Sequence, residues 1–172
     1  MFLPLDAMSA DCPKTTPLSG QYVDKDYGFE FRYPQGWENF FSRIVGEAKH
    51  VLVLGKGPVH ENKQSFVRIE VTYSTKYAKT EQTIGKTLER KKKNHEVVKT
   101  LTLRGKTIEL LERIPKQPKG PSLAGLQSGP EFSFYYPKDG TYYPVSIKTS
   151  ADGAYRPCDT DALVVSVFET FQ

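Results

Sequence analysis

The chain has 172 residues, with 24 Lys plus Arg against 20 Asp plus Glu and 38% hydrophobic residues. That length suits a domain able to bury most of its apolar surface without a metal or disulfide. A net charge of +4 is too small to hold a protein on nucleic acid at physiological salt, and no apolar run approaches the roughly 20 residues needed to span a bilayer.

Residues 1–20 carry Pro4, Pro13, Pro17 and Gly20 among several Ser and Thr, with no apolar run long enough for a signal-peptide core. They read as a flexible tail ahead of a single domain over 21–172. Cys12 follows Asp11, where a lipid-anchor signal would place a small residue. A short strand near Tyr22 and Val23 turns through 24–28 into a second over 29–33. There Phe29, Phe31 and Tyr33 alternate with Glu30 and Arg32, the period of a strand with one buried face. Pro34 ends it, because proline donates no ladder hydrogen bond, and Trp37 follows as a packing residue. Residues 40–45 suggest a further strand, and the apolar run from Val51 to Leu54 suggests one covered on both faces, ending at the turn Gly55-Lys56-Gly57-Pro58. Val67, Ile69, Val71 and Tyr73 alternate with Arg68, Glu70 and Thr72 in the clearest strand of the chain.

From Thr80, a capping residue, the period changes: Tyr77, Glu81, Ile84 and Leu88 step by three and four, the mark of a surface helix. Arg90-Lys91-Lys92-Lys93 falls in its last turns, where cations suit the helix dipole. Four consecutive helical residues spread over about 300° of azimuth, so the run wraps the helix rather than facing one partner. Val97, Leu101 and Leu103 pass through Arg104-Gly105 into Ile108, Leu110 and Ile114, a hairpin. Residues 115–130 hold four Pro and three Gly, too long for an ordinary connection, with Leu123 and Leu126 inside. Such a loop is either disordered or used, and its apolar pair suits docking a partner or folding back on its own core. A second hairpin joins Phe132, Phe134 and Tyr136 through Asp139-Gly140 to Tyr143, Val145 and Ile147, and Pro144 suggests that its second strand lies at an edge. Last comes a helix capped by Asp159 or Thr160 that buries Leu163, Val164, Val167, Phe168 and Phe171. The elements predict an α+β domain, a single antiparallel β-sheet with helices packed on it.

The segment Tyr27-Gly28-Phe29-Glu30-Phe31-Arg32-Tyr33-Pro34-Gln35-Gly36-Trp37, followed by this order of elements, resembles the PsbP-like superfamily. That group also takes in DcrB-like envelope lipoproteins and a nuclear Ran-binding factor. The resemblance implies a PsbP-like α/β sandwich and a non-enzymatic, extracytoplasmic role in periplasm, secreted form or thylakoid lumen, binding or supporting a protein partner. No export signal is visible in the chain.

Chemistry is sparse. No Gly-x-Ser-x-Gly elbow occurs, and the Gly55–Gly57 pair lacks a third glycine at dinucleotide spacing. His50, His60 and His95 stand apart from one another, so neither a metal nor a cofactor is expected. Cys12 and Cys158, the only cysteines, either join in one disulfide, which would favour an oxidising compartment, or stay as two thiols. The expected contact with a protein is Leu123 and Leu126 in the loop, with Tyr135, Tyr142 and Tyr143 as outward anchors of the hairpin. Nucleic acid is excluded as a partner, peripheral membrane association stays open, and the chain is expected as a monomer. The alternative is a small hydrolase or small-ligand-binding protein with a pocket between sheet and helix.

Overall fold

Strand alternation decides which side chains each strand buries, and the central strands illustrate it. In a computed structural model, which describes residues 17–37, 41–54, 67–114, 126–152 and 160–172, β5 (Val67–Ser74) buries Ile69, Val71 and Tyr73 on one face. Before it in the chain come β1 (Gly20–Val23), β2 (Glu30–Tyr33), β3 (Phe41–Val45) and β4 (Ala48–Leu54). After it come β6 (Lys79–Thr80), α1 (Glu81–Lys92), β7 (His95–Leu103), β8 (Lys106–Arg113), β9 (Leu126–Lys138), β10 (Thr141–Asp152) and α2 (Thr160–Phe168). The main sheet runs β3-β4-β5-β10-β9-β8-β7, with β6 also paired to β10, and every pairing is antiparallel.

The register brings Val51 opposite Val71, Val145 opposite Tyr73, and Phe134 opposite Val145, so one face carries a continuous apolar layer from β4 to β8. Two elements cover it. Over the β8–β9 half lies α2: Val164, Val167 and Phe168 are buried, and the Phe168 ring stands edge-on to Phe134 with centroids 4.9 Å apart. Over the β4–β5 half lies the β1–β2 hairpin, where Phe29 meets Tyr73 with ring centroids 4.9 Å apart. The four residues after α2 close the seam. Phe171 stacks on Phe31 at 5.1 Å, and Glu30 and Gln172 exchange backbone hydrogen bonds of 3.3 and 3.1 Å. From beneath, the Tyr136 hydroxyl donates to the Gln172 carbonyl at 2.8 Å and lies 3.0 Å from the Gly28 carbonyl. Gly28 sits at φ +71°, a left-handed turn that glycine adopts without strain.

The expected single sheet with helices packed on it is therefore corrected. The described residues are mostly strand, in an eight-stranded sheet and a separate two-stranded one, with only two helices. Period-two patterning marks the β1–β2 hairpin correctly but says nothing about its partner. With Tyr22, Phe29 and Phe31 all buried, the hairpin lies across the face of the main sheet, where a helix was expected, instead of extending its edge.

Two prolines also depart from expectation. Pro144 stands in β10, which is central. It is tolerated there because β5 pairs with β10 from Val145 onward and β6 only with Thr141 and Tyr142, so the missing N–H falls opposite a gap between them. Pro130 lies inside β9, where Gly129 and Pro130 together oppose the single Thr149, a bulge that absorbs the lost donor. The loop expected over 115–130 accordingly gives way at Leu126, whose backbone already pairs with Asp152.

Candidate functional site

Helix α1 covers part of the sheet's other face. Thr80 caps it, its backbone N–H donating to Thr83 Oγ1 at 3.0 Å, and Ile84 and Thr87 are buried beneath it. At 100° per residue Lys91 returns to within about 20° of Ile84, so one member of the basic run points at the sheet. Its Nζ donates to Ser133 Oγ of β9 at 2.8 Å and stands 5.2 Å from the centre of the Tyr135 ring. Lys92, the next residue, turns outward to Glu109 at 2.7 Å.

Beside Lys91 opens a cleft of about 410 Å³ between the end of α1 and the sheet, lined among others by Lys93, His95, Arg113, Glu131 and Ser133. Lys91, Lys93 and Arg113 against Glu131 leave three positive charges and one negative at its walls. Glu131 is itself engaged by Arg113 at 3.7 Å. His95 Nδ1 lies 3.0 Å from the Lys91 carbonyl, and because a carbonyl only accepts, that nitrogen carries a proton. Burial pushes the Lys91 ammonium below the ordinary lysine range, against a weaker upward pull from Glu131. Among the described residues no carboxylate lies within ion-pairing distance of Lys91.

A lysine more deeply buried than Lys91 sits where the β1–β2 turn meets β4. Lys49 Nζ lies 2.8 Å from Asp24 and 2.9 Å from Asp26. Asp24 also accepts the Tyr22 hydroxyl at 2.7 Å and the backbone N–H groups of Asp26 and Tyr27 at 2.9 and 2.8 Å. Burial would push the Asp24 carboxyl up, but Lys49 and these donors outweigh it and hold the group below the usual carboxylate range. Burial likewise pulls Lys49 down, yet the two aspartates leave it above its ordinary range. The Tyr22 phenol, desolvated and bonded to Asp24, is pushed up to about 12. Every partner here is spent on another, so this cluster is a clasp between hairpin and sheet.

The three tyrosines expected to bind a partner do not gather into one surface. Tyr135 is buried beneath Lys91, and Tyr142 is buried with its hydroxyl donating to Glu81 at 2.9 Å. Neither is an outward anchor, because α1 lies over the face that was taken as open. Tyr143 is half-buried on the opposite face, stacked on Tyr73 with centroids 5.4 Å apart. Leu126 enters β9 by its backbone pairing. Leu123, Cys12 and Cys158 lie outside the described residues, as do His60 and the Gly55–Gly57 turn. His50 packs on Thr72 at 3.1 Å and Glu70 at 3.4 Å, apart from the cleft.

Lys91 was missed as an individual although its helix run was noted. The usable signal was the stripe Ile84, Thr87, Lys91, a lysine on the very rows that bury the helix. Among the described residues no helix is long and apolar enough to cross a membrane. Neither a protein-family model nor a curated protein matches the chain.

Proposed function

We propose that this domain binds a small anionic ligand in the cleft between α1 and the sheet, with Lys91 as the anchoring donor. One observation carries the reading. Lys91 Nζ has three N–H donors and spends one on Ser133, and nothing anionic among the described residues pairs with it. An ammonium partly withdrawn from water without a counter-charge is costly, and a carboxylate or phosphate oxygen entering the cleft would relieve that cost. Lys93 and Arg113 add positive potential at the mouth. Titrating the protein with inorganic phosphate while following backbone amide shifts tests it. Shifts centred on Lys91, His95, Arg113 and Ser133, lost in Lys91→Met, are expected. Shifts scattered over surface lysines, or equally large in the variant, would remove the proposal.

A second reading keeps the protein partner and extracytoplasmic setting that the PsbP-like resemblance implies. Its support is the edge strand β3, where Ile44 and Val45 are 60% and 50% exposed on a strand that, among the described residues, is paired along one side only. An Ile44→Lys variant that keeps its melting temperature and loses a co-purifying protein would favour it. Unchanged co-purification would count against it.

A further inference from the structure

We infer that Lys91 is a nucleophilic amine that captures anionic carbonyl compounds, such as phosphorylated aldehydes or 2-oxo acids, as an imine in the α1 cleft. The inference rests on the anion-binding reading above and adds a covalent step to it. Three features meet at one atom. Lys91 Nζ borders an open cleft, it is held at 2.8 Å by a hydroxyl able to relay a proton, and no carboxylate among the described residues lies within ion-pairing distance of it. Lys49, clasped by two carboxylates, lacks the first and third. Burial adds to this by favouring the uncharged amine.

The step balances without an oxidant or reductant. After Nζ gives its third proton to solvent, its lone pair adds to the carbonyl carbon. The C=O π pair moves to oxygen, which takes up a proton while nitrogen releases one, giving a carbinolamine. The Ser133 hydroxyl then passes a proton to the departing oxygen and is reprotonated from the nitrogen side. Water leaves and the C=N bond forms. Amine and carbonyl become imine and water. Lys93 and Arg113 at the mouth would hold the ligand's anionic end, and His95 lines the same wall.

The test uses the full chain. Pyridoxal 5′-phosphate, an anionic aldehyde, and acetaldehyde, an uncharged one, are each added with cyanoborohydride, and labelled peptides are identified by mass spectrometry. Phosphate titration by amide shifts runs in parallel. We expect Lys91 as the first and dominant site for the phosphorylated aldehyde, ahead of the exposed Lys25 and Lys76. Ser133→Ala should slow the labelling. Lys91→Arg keeps a donor that cannot condense, so it should lose the labelled peptide while retaining the phosphate shifts. If phosphate shifts the cleft but Lys91 labels no faster than Lys25 and Lys76, the imine is wrong and the anion site stands. If neither occurs, both fall. If acetaldehyde labels Lys91 as fast as the phosphorylated aldehyde and phosphate shifts nothing, the anionic class of ligand is wrong.

Discussion

Lys49 is buried and Lys91 half-buried against the main sheet, on opposite faces, and the protein treats them in opposite ways. Lys49 meets two carboxylates at 2.8 and 2.9 Å, with a tyrosine hydroxyl and two backbone N–H groups completing the shell around Asp24. Lys91 meets one neutral hydroxyl and the face of a ring. Burial lowers both, but only Lys49 has the charges that overcome it. The contrast separates a lysine that holds the fold from one held ready by it, since stability calls for mutual satisfaction while binding calls for capacity left over.

Breaking the clasp should give the largest effect. Asp24→Ala leaves Lys49 buried without its closest partner, and we expect a loss of about 3–5 kcal/mol in denaturant unfolding. Asp24→Leu combined with Lys49→Met should recover most of that loss, because no charge is then stranded. A double variant as unstable as the single one would mean that the clasp contributes more than its own satisfaction.

The two lysines should also respond to pH with opposite sign. Asp24 has a folded pKa below its ordinary value of about 3.9, so its contribution is present above that pH and lost as pH falls through the folded value. Lys49 has a folded pKa above its ordinary value of about 10.4, so its contribution is present below that pH and lost as pH rises through the folded value. Lys91 is lowered, so the folded protein binds fewer protons at this site than the unfolded chain, and stability rises with pH up to about 10.4. Unfolding midpoints measured from pH 7 to 10 (a window spanning that rise) should climb less in Lys91→Met than in the parent. At neutral pH the same variant should be neutral or more stable by about 1 kcal/mol, since it removes an uncompensated charge. A marked destabilisation would show that Lys91 is structural after all.

Smallest of all should be Lys92→Ala. Its bridge to Glu109 is 2.7 Å long, but the two side chains are 42% and 23% exposed, and such pairs contribute about 0.2–1 kcal/mol. Neighbouring lysines on one helix would then differ through azimuth alone.

The elements that repeat strictly were legible in the sequence. Ile69, Val71 and Tyr73 mark β5, Thr80 marks the start of α1, and Arg104-Gly105 and Asp139-Gly140 mark the hairpin turns where they occur. Less legible was anything decided by a partner distant in sequence. A period of two makes the 29–33 strand but does not say that its hairpin lies across a face. Pro144 reads as an edge residue until β5 and β6 are seen to leave a gap opposite it. Tyr135 and Tyr142 read as outward because alternation assigns them to the second face, and only α1 turns that face into an interior. Of the site, the basic run was visible and its inward member was not. Ser133, which gives Lys91 its bond, is 42 residues away.

The closing of the seam by Phe171 and Gln172 bears on the order in which the chain can fold during synthesis. The β1–β2 hairpin is made early, yet Phe29 and Phe31 gain a further stacking partner in Phe171, and Glu30 exchanges its backbone hydrogen bonds with Gln172. Until those residues emerge, the hairpin can rest on β4 and β5 through the Asp24–Lys49 clasp, but its far side stays wet. Closing a loop of that length is entropically slow, and uncovered aromatic surface invites aggregation meanwhile. Residues 171 and 172 therefore act as a latch whose arrival completes the cover of the apolar face.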